Sequence, residues 1–178
     1  MEEHFDVCTP DGVPTGRRVP RSEAHRRGLW HRSSHLWIVN GQKEILLQRR
    51  HPGKETDPGR WDIAVAGHLS AGQTPLQAIV REAREELGLD LDPAALIFLG
   101  ARSKEYLDPD FTDREWQHLF LTRWEGELET LILQPDEVTA VRWMAADDYR
   151  KVVEAGDSDY VDRKEDLTRV LPLKERAP

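Results

Sequence analysis

The sequence predicts an α/β fold, a mixed β-sheet covered by helices on both faces. Three observations carry this. Runs rich in β-branched and aromatic residues stand before and after one well-capped amphipathic helix. The early runs are joined by hairpin turns rather than regular crossovers, and the last third of the chain ends in further helical stretches. With 178 residues, 38% of them hydrophobic, and six Trp, the chain can bury a core without disulfide staples, and residues 1–178 read as one domain.

Taken in order, Phe5–Cys8 reads as a short strand and Asp11-Gly12 as the turn that closes a hairpin. Arg17, Arg18, Arg21, Arg26, Arg27 and Arg32 then make a locally basic run in a chain of net charge -8. It reads either as ordinary surface charge or as a rim whose field attracts a phosphorylated substrate. His35–Asn40 and Glu44–Arg50 flank a short turn and predict a second hairpin. Residues 51–60, with Pro52, Gly53, Pro58 and Gly59, should be irregular, and Trp61–His68 should be a strand.

Leu76, Ile79, Val80, Ala83 and Leu87 recur as the buried stripe of a helix. Thr74 is its N-cap, Pro75 its first-turn residue and Gly88 its stop. Asp92-Pro93 breaks the chain, and a strand begins at Leu96–Gly100. A polar loop with Pro109 spans Leu107–Asp113, followed by strands at Trp116–Trp124 and Val138–Met144 and helices at Ala145–Ala155 and Tyr160–Leu171.

Bulk properties exclude several classes. An acidic balance argues against a nucleic-acid binder, which is normally basic. The single Cys8 excludes an internal disulfide and fits a reducing compartment. The start, MEEHFDVCTPDG, lacks the apolar run of a secretory signal, and no stretch is apolar for long enough to span a bilayer. A cytoplasmic protein without a membrane partner is expected. Nothing in the sequence sets its oligomeric state.

On the capped helix, Glu82, Glu85 and Glu86 fall on one side, away from the apolar stripe. Three acids on a helix are commonly a solvated face. Their mutual repulsion is also relieved by a divalent cation that prefers hard oxygen, Mg2+ or Mn2+.

The frame around these acids decides between the two. Gly67, Arg81-Glu82-Ala83, Glu85-Glu86 and Gly88-Leu89 stand in the register of the Nudix box, and the stretch resembles that motif except that Gln73 replaces its first Glu. The resemblance implies a Nudix α/β/α sandwich with the box as loop, helix, loop. It implies a metal-dependent hydrolase that cleaves a phosphoanhydride in nucleoside di- or triphosphates or related nucleoside diphosphate derivatives. Glu82, Glu85, Glu86 and the Gly67 carbonyl would hold Mg2+, with Mn2+ as a substitute, and Arg81 would organise the glutamates. Glu85 is a candidate general base, with the loop acids Glu115 and Glu137 as alternatives. Arg49 and Arg50 are candidate phosphate binders, one of which should face away, since strand neighbours alternate. Gln73 would keep an acceptor for Arg81 without the charge.

Beyond the box, Asp11–Gly16, Glu23-Ala24-His25, Leu29-Trp30-His31, Leu46–Arg50, Pro58–Asp62 and Val65–His68 look like the branch containing type I isopentenyl diphosphate isomerase. This likeness covers about residues 5–145. It implies a second site for Mn2+ or Zn2+ at His25, His31, His68, Asp113 and Glu115. It also marks a departure: the isomerase cysteine position holds Ala66, which cannot carry a proton. The alternatives to a hydrolase are therefore an isomerase and a non-catalytic nucleotide- or RNA-binding Nudix domain. His35 and His118 read as packing or hydrogen-bonding residues. Trp30, Trp61 and Trp116 read as scaffold before base-stacking platforms.

Overall fold

The computed structural model describes residues 2–108 and 111–172. β1 (His4–Cys8) and β2 (Pro14–Pro20) form the expected antiparallel hairpin, with Gly12 at φ 79° in its turn. A helix not expected from the sequence, α1 (Arg21–Arg27), follows. Its arginine-rich sequence has no apolar stripe; Ala24 alone joins Phe5, Val7 and Val19 in a small core beneath the hairpin.

A seven-stranded sheet contains β3 (His31–Val39), β4 (Glu44–Arg50), β5 (Trp61–Ile63), β6 (Val65–His68), β7 (Ile97–Asp108), β8 (Phe111–Arg123) and β9 (Val138–Ala145). It is mixed, as predicted: β3 and β8 run parallel and the other pairs are antiparallel. In the turn between β3 and β4, Asn40 Oδ1 accepts from the N–H of Gln42 and of Glu44, both at 3.0 Å. The two strands then pair only at Val39 and Ile45 and diverge. β3 turns to β6, and β4 to β5 and β9, so the sheet is split into two arms.

Trp61–His68 is consequently not one strand. The chain bends at Ala64, and its halves join different arms, with Ile63 opposite Leu47 and Ala66 opposite His35. The expected loop at Leu107–Asp113 is also different. Tyr106 pairs with Asp113 and Leu107 with Thr112, extending a long β7–β8 hairpin, while Pro109 lies outside the described residues.

Helices cover both faces, as the pattern predicts. α2 (Pro75–Leu87) buries Ile79, Ala83 and Leu87 against Leu36, Ile38 and Leu46. α3 (Ala146–Glu154) and α4 (Lys164–Val170) bury Tyr149, Val153, Leu167 and Val170 against Trp37, Val39, Ile45 and Leu47. Alternation along β3 thus feeds two cores, each large aliphatic side chain contributing about 1.5–3 kcal/mol. The α2 ends match expectation. Thr74 Oγ1 accepts from the Gln77 N–H at 3.2 Å, Gln77 Oε1 accepts from the Thr74 N–H at 3.0 Å, and Gly88 stops the helix at φ 68°. The last helix is shorter than Tyr160–Leu171, because Tyr160 bridges to Trp61 in extended form before α4 begins. Among the described residues, no helix is long and apolar enough to cross a membrane.

Candidate functional site

A cleft of about 300 Å³ opens where the two arms of the sheet part, with α2 along one side. Gly67, at the end of β6, is there because of close approach. A Cβ on it would lie 2.3 Å from Cδ of Glu82, so only glycine lets that carboxylate lie against the backbone. Arg81 reaches back along the same surface, donating to Glu82 Oε1 at 2.7 Å, to Glu85 Oε2 at 2.6 Å and to the His68 carbonyl at 3.4 Å. One guanidinium therefore spaces two of the box carboxylates and ties them to β6.

Glu86 lies deepest. It is 5% exposed and accepts from the Gln48 amide at 3.1 Å. Burial, reinforced by Glu82, pushes its carboxyl up to about 8, and burial also pushes Glu82 upward against the pull of Arg81. Glu85, by contrast, keeps 49% of its side chain exposed.

Gln73 does not serve Arg81 as the sequence suggested. Its Oε1 accepts from the Ser70 N–H at 3.0 Å, closing the loop ahead of the helix. A carboxylate or an amide can accept this bond equally.

His25, His31, His68 and Asp113, from α1, β3, β6 and β8, offer ligand atoms all within 4.8 Å of one another. His31 Nδ1 donates to the Leu29 carbonyl at 2.9 Å, which turns Nε2 towards Asp113 Oδ1 at 3.1 Å. That leaves Nε2 free of the backbone and facing the carboxylate, as two ligands of a shared cation would. His68 Nε2 lies 3.0 Å from Glu115 Oε1 and 3.8 Å from Asp113 Oδ2. Burial lowers its pKa, but hydrogen bonds to Asp113 and Glu115 outweigh this and hold it at about 9. Burial, together with His68, takes His25 down to about 4. Against burial, His31 and His68 hold Asp113 below its usual range, and His68 holds Glu115 well below its own. Phe5 stacks on His31 with ring centroids 4.8 Å apart and roofs the cluster.

The arginine pair divides as strand alternation requires. Arg50 lines the cleft, whereas Arg49 donates to the Gly59 carbonyl at 3.0 Å outside it. Glu137 also lines the cleft, where Lys54 donates to it. Of the arginines in residues 17–32, Arg21 reaches the cleft, 3.5 Å from His68 Nδ1. His118 donates to the Ser33 carbonyl at 3.1 Å, as a hydrogen-bonding residue should. Trp61 is covered by Arg142 at 4.0 Å, and Trp116 packs under Gly12. Both are scaffold.

Sequence reasoning missed Asp62, Arg163 and the setting of His35. Arg163 donates to Asp62 through Nε at 2.9 Å and Nη2 at 2.8 Å across 101 residues of chain, and its Nη1 lies 3.4 Å from His35 Nδ1. No local pattern announces such a pair; an Asp beside Trp61 in an otherwise apolar run was the only available signal.

The NUDIX domain model matches residues 29–164. Nudix hydrolase 3 of Arabidopsis thaliana is 41% identical over 165 residues, 90% of this chain but 21% of that protein's length. An uncharacterized Nudix hydrolase of Clostridium acetobutylicum is 38% identical over 145 residues, covering 79% of this chain and 69% of that one. An isopentenyl-diphosphate Δ-isomerase of Escherichia coli is 29% identical over 142 residues, 79% of this chain and 76% of that one. The fold is similar to the crystal structure of DR0079 from Deinococcus radiodurans, with a TM-score of 0.71 at 23% identity over 94% of this chain and 98% of that one. With the box residues in register on α2 and the family model spanning both arms of the split sheet, the chain belongs to the Nudix hydrolase family.

Proposed function

We propose that the protein is a divalent-metal-dependent hydrolase that cleaves a phosphoanhydride bond in a nucleoside di- or triphosphate or a related nucleoside diphosphate derivative. The observation that carries this is the charge of the cleft. Eight carboxylates and five Arg or Lys side chains line it, and Glu86 is buried beside Glu82 with its pKa raised to about 8. Such a cleft repels an anionic diphosphate until cations are added.

The residues fit the group they imply. Glu82, Glu85, Glu86 and the Gly67 carbonyl offer only hard oxygens, which suits Mg2+ or Mn2+. The histidine cluster mixes nitrogen and carboxylate donors, which suits Mn2+ or Zn2+. When bound, divalent cations neutralise charge on the phosphoryl oxygens and make an attacking water more acidic. Arg81 holds Glu82 and Glu85 at fixed spacing, and Gln48 orients Glu86. Glu85, exposed at the edge of the cleft, is the best placed to take a proton from water. Glu137 is tied to Lys54, and Glu115 to His68 and to the Gln117 amide at 2.6 Å, so both are already engaged.

A second reading, isomerisation of isopentenyl diphosphate, has the histidine–Asp113 cluster in its favour. Ala66 weighs against it: the residue lines the cleft with no ionisable group, and Cys8 sits in the N-terminal hairpin core with burial pushing its thiol up to about 11.

The test is release of phosphate and nucleotide from nucleoside di- and triphosphates, dinucleotides, nucleotide sugars and isopentenyl diphosphate, with Mg2+, Mn2+ or chelator. Chelator-sensitive cleavage of a nucleotide class is expected. Conversion of isopentenyl diphosphate without phosphate release would replace the reading with the isomerase, and binding without turnover would replace it with a nucleotide-binding role.

A further inference from the structure

At the floor of the cleft two guanidiniums meet on one carboxylate. Asp62, 1% exposed, accepts both hydrogen bonds of the Arg163 fork, and Arg50 Nη1 lies 3.5 Å from the same Oδ2 oxygen. One carboxylate thus serves two guanidiniums. Each arginine side chain is 11% exposed, and both line the cleft.

The other hydrogen-bond partners of the two guanidiniums are neutral. His35 Nδ1 accepts from Arg163, and burial beside that cation holds its pKa at about 4, so it adds no charge. The remaining bonds of Arg50 go to the neutral Thr56, to its carbonyl at 3.1 and 3.0 Å and its hydroxyl at 3.2 Å. Glu115 is bonded by His68 at 3.0 Å, and Asp166, which shares Arg102 with Glu165, acts on Arg163 through its field without bonding it. Among the described residues, Asp62 is the carboxylate within ion-pair distance of either guanidinium. Two guanidiniums on one carboxylate repel each other, an anion between them relieves this, and a planar guanidinium matches the oxygens of a phosphate.

The position sharpens the choice of anion. Arg163 approaches from the side of α3 and α4, and the box glutamates approach from α2 on the other face of the split sheet. A diphosphate spanning that gap puts its hydrolysed linkage among the glutamates and its far end against the arginines. A terminal phosphate presents three unblocked oxygens and up to two negative charges there. A capped phosphate carries one charge and has one oxygen fewer to offer the two guanidiniums.

We propose that Arg163 and Arg50, held together by Asp62, form a subsite for the terminal phosphate of the substrate. The enzyme then selects compounds that end in a free phosphate, nucleoside di- and triphosphates, over diphosphates capped at both ends. This deepens the hydrolase reading and rests on it for its turnover arm.

The experiment compares ADP with ADP-ribose and UDP with UDP-glucose as substrates, and titrates inorganic phosphate by calorimetry, for the wild type, Arg163→Gln and Arg50→Gln. Wild type should favour the uncapped member of each pair by about tenfold or more. Each variant should lose about tenfold in kcat/KM on the uncapped member, chiefly through KM, and less than about threefold on the capped one. Phosphate affinity should fall about tenfold in parallel. Equal losses on both members by folded variants, preference for the capped member, or unchanged phosphate affinity would overturn the subsite and leave Asp62–Arg163 a structural pair. Should Arg163→Gln not fold, Arg50→Gln carries the same decision from a different element. Should no nucleotide turn over, the hydrolase reading fails, and phosphate binding by wild type against Arg50→Gln still decides the subsite.

Discussion

The two clusters of candidate ligands meet at Gly67 and His68, adjacent in the chain, yet they balance charge in opposite ways. On the α2 side, Glu82 and Glu86 are both pushed upward by burial, and Arg81 is the cation bonded to the group. On the other side, His68 is held at about 9 by Asp113 and Glu115, which it holds low in return. The first cluster needs a cation from outside to be complete as an ionised group. The second already holds one cation of its own, the His68 imidazolium between two carboxylates, and that ring must give up a proton to take a metal. Carboxylates crowded on one helix and carboxylates interleaved with imidazoles therefore differ in whether a proton already stands where a metal would.

Glu86→Gln should break this contrast most sharply. Turnover is expected to fall on the order of 100-fold or more, since losses of about 10- to 100-fold follow from disturbing residues that merely support a ligand. A steady-state assay with Mg2+ checks it. The same variant tests the pH linkage. A carboxyl raised from its ordinary value to about 8 holds its proton in the folded state after the unfolded chain has released it. Its contribution to stability therefore falls as pH rises between about 4.5 and 8. Metal-free melting curves across that window should show wild type losing stability relative to Glu86→Gln, and parallel curves would remove the raised carboxyl.

His31→Ala should act on the other cluster alone. Mn2+ or Zn2+ affinity measured in a Glu82→Gln, Glu86→Gln background should drop by about 100-fold, since both a ligand and its backbone-fixed tautomer are lost. An unchanged isotherm would mean that the four groups do not act as one site. Next comes Gly67→Ala, whose new methyl meets Glu82 at 2.3 Å. Activity should fall about 10- to 100-fold with the fold retained, visible as an unchanged circular dichroism spectrum and a weakened Mg2+ dependence. Arg81→Lys should cost about tenfold, because an ammonium cannot hold Glu82 and Glu85 in a fixed fork. Gln73→Glu should change kcat/KM by less than about threefold, since either side chain can accept from the Ser70 N–H; a large gain would mean that the missing box charge limits this enzyme.

The carboxylate cluster was legible because its chemistry lies on one helix, where spacing alone fixes which residues are neighbours. The caps at Thr74 and Gly88 and the apolar stripe needed no tertiary information. The histidine cluster was legible only through family likeness, because its members come from four elements that the sheet assembles. The helix at Arg21–Arg27 left no periodic signal, being held by few buried residues. The break at Ala64 left none either. An apolar run reads the same whether it stays in one arm or crosses between two, and only the divergence of β3 from β4 decides. Asp62 and Arg163 were invisible for the simplest reason, a separation of 101 residues.

That divergence has a mechanical consequence. Since β3 and β4 pair at Val39 and Ile45 alone, the two walls of the cleft splay from there like the jaws of tongs, braced across the gap by Gln48–Glu86 and by Arg163 between Asp62 and His35. β9 is bonded along the whole of the β4 jaw, so a change in how β9 or α3 packs alters the gap without any residue of the cleft being touched. Variants that retune substrate size should therefore turn up far from the bound substrate, on the back of the jaw.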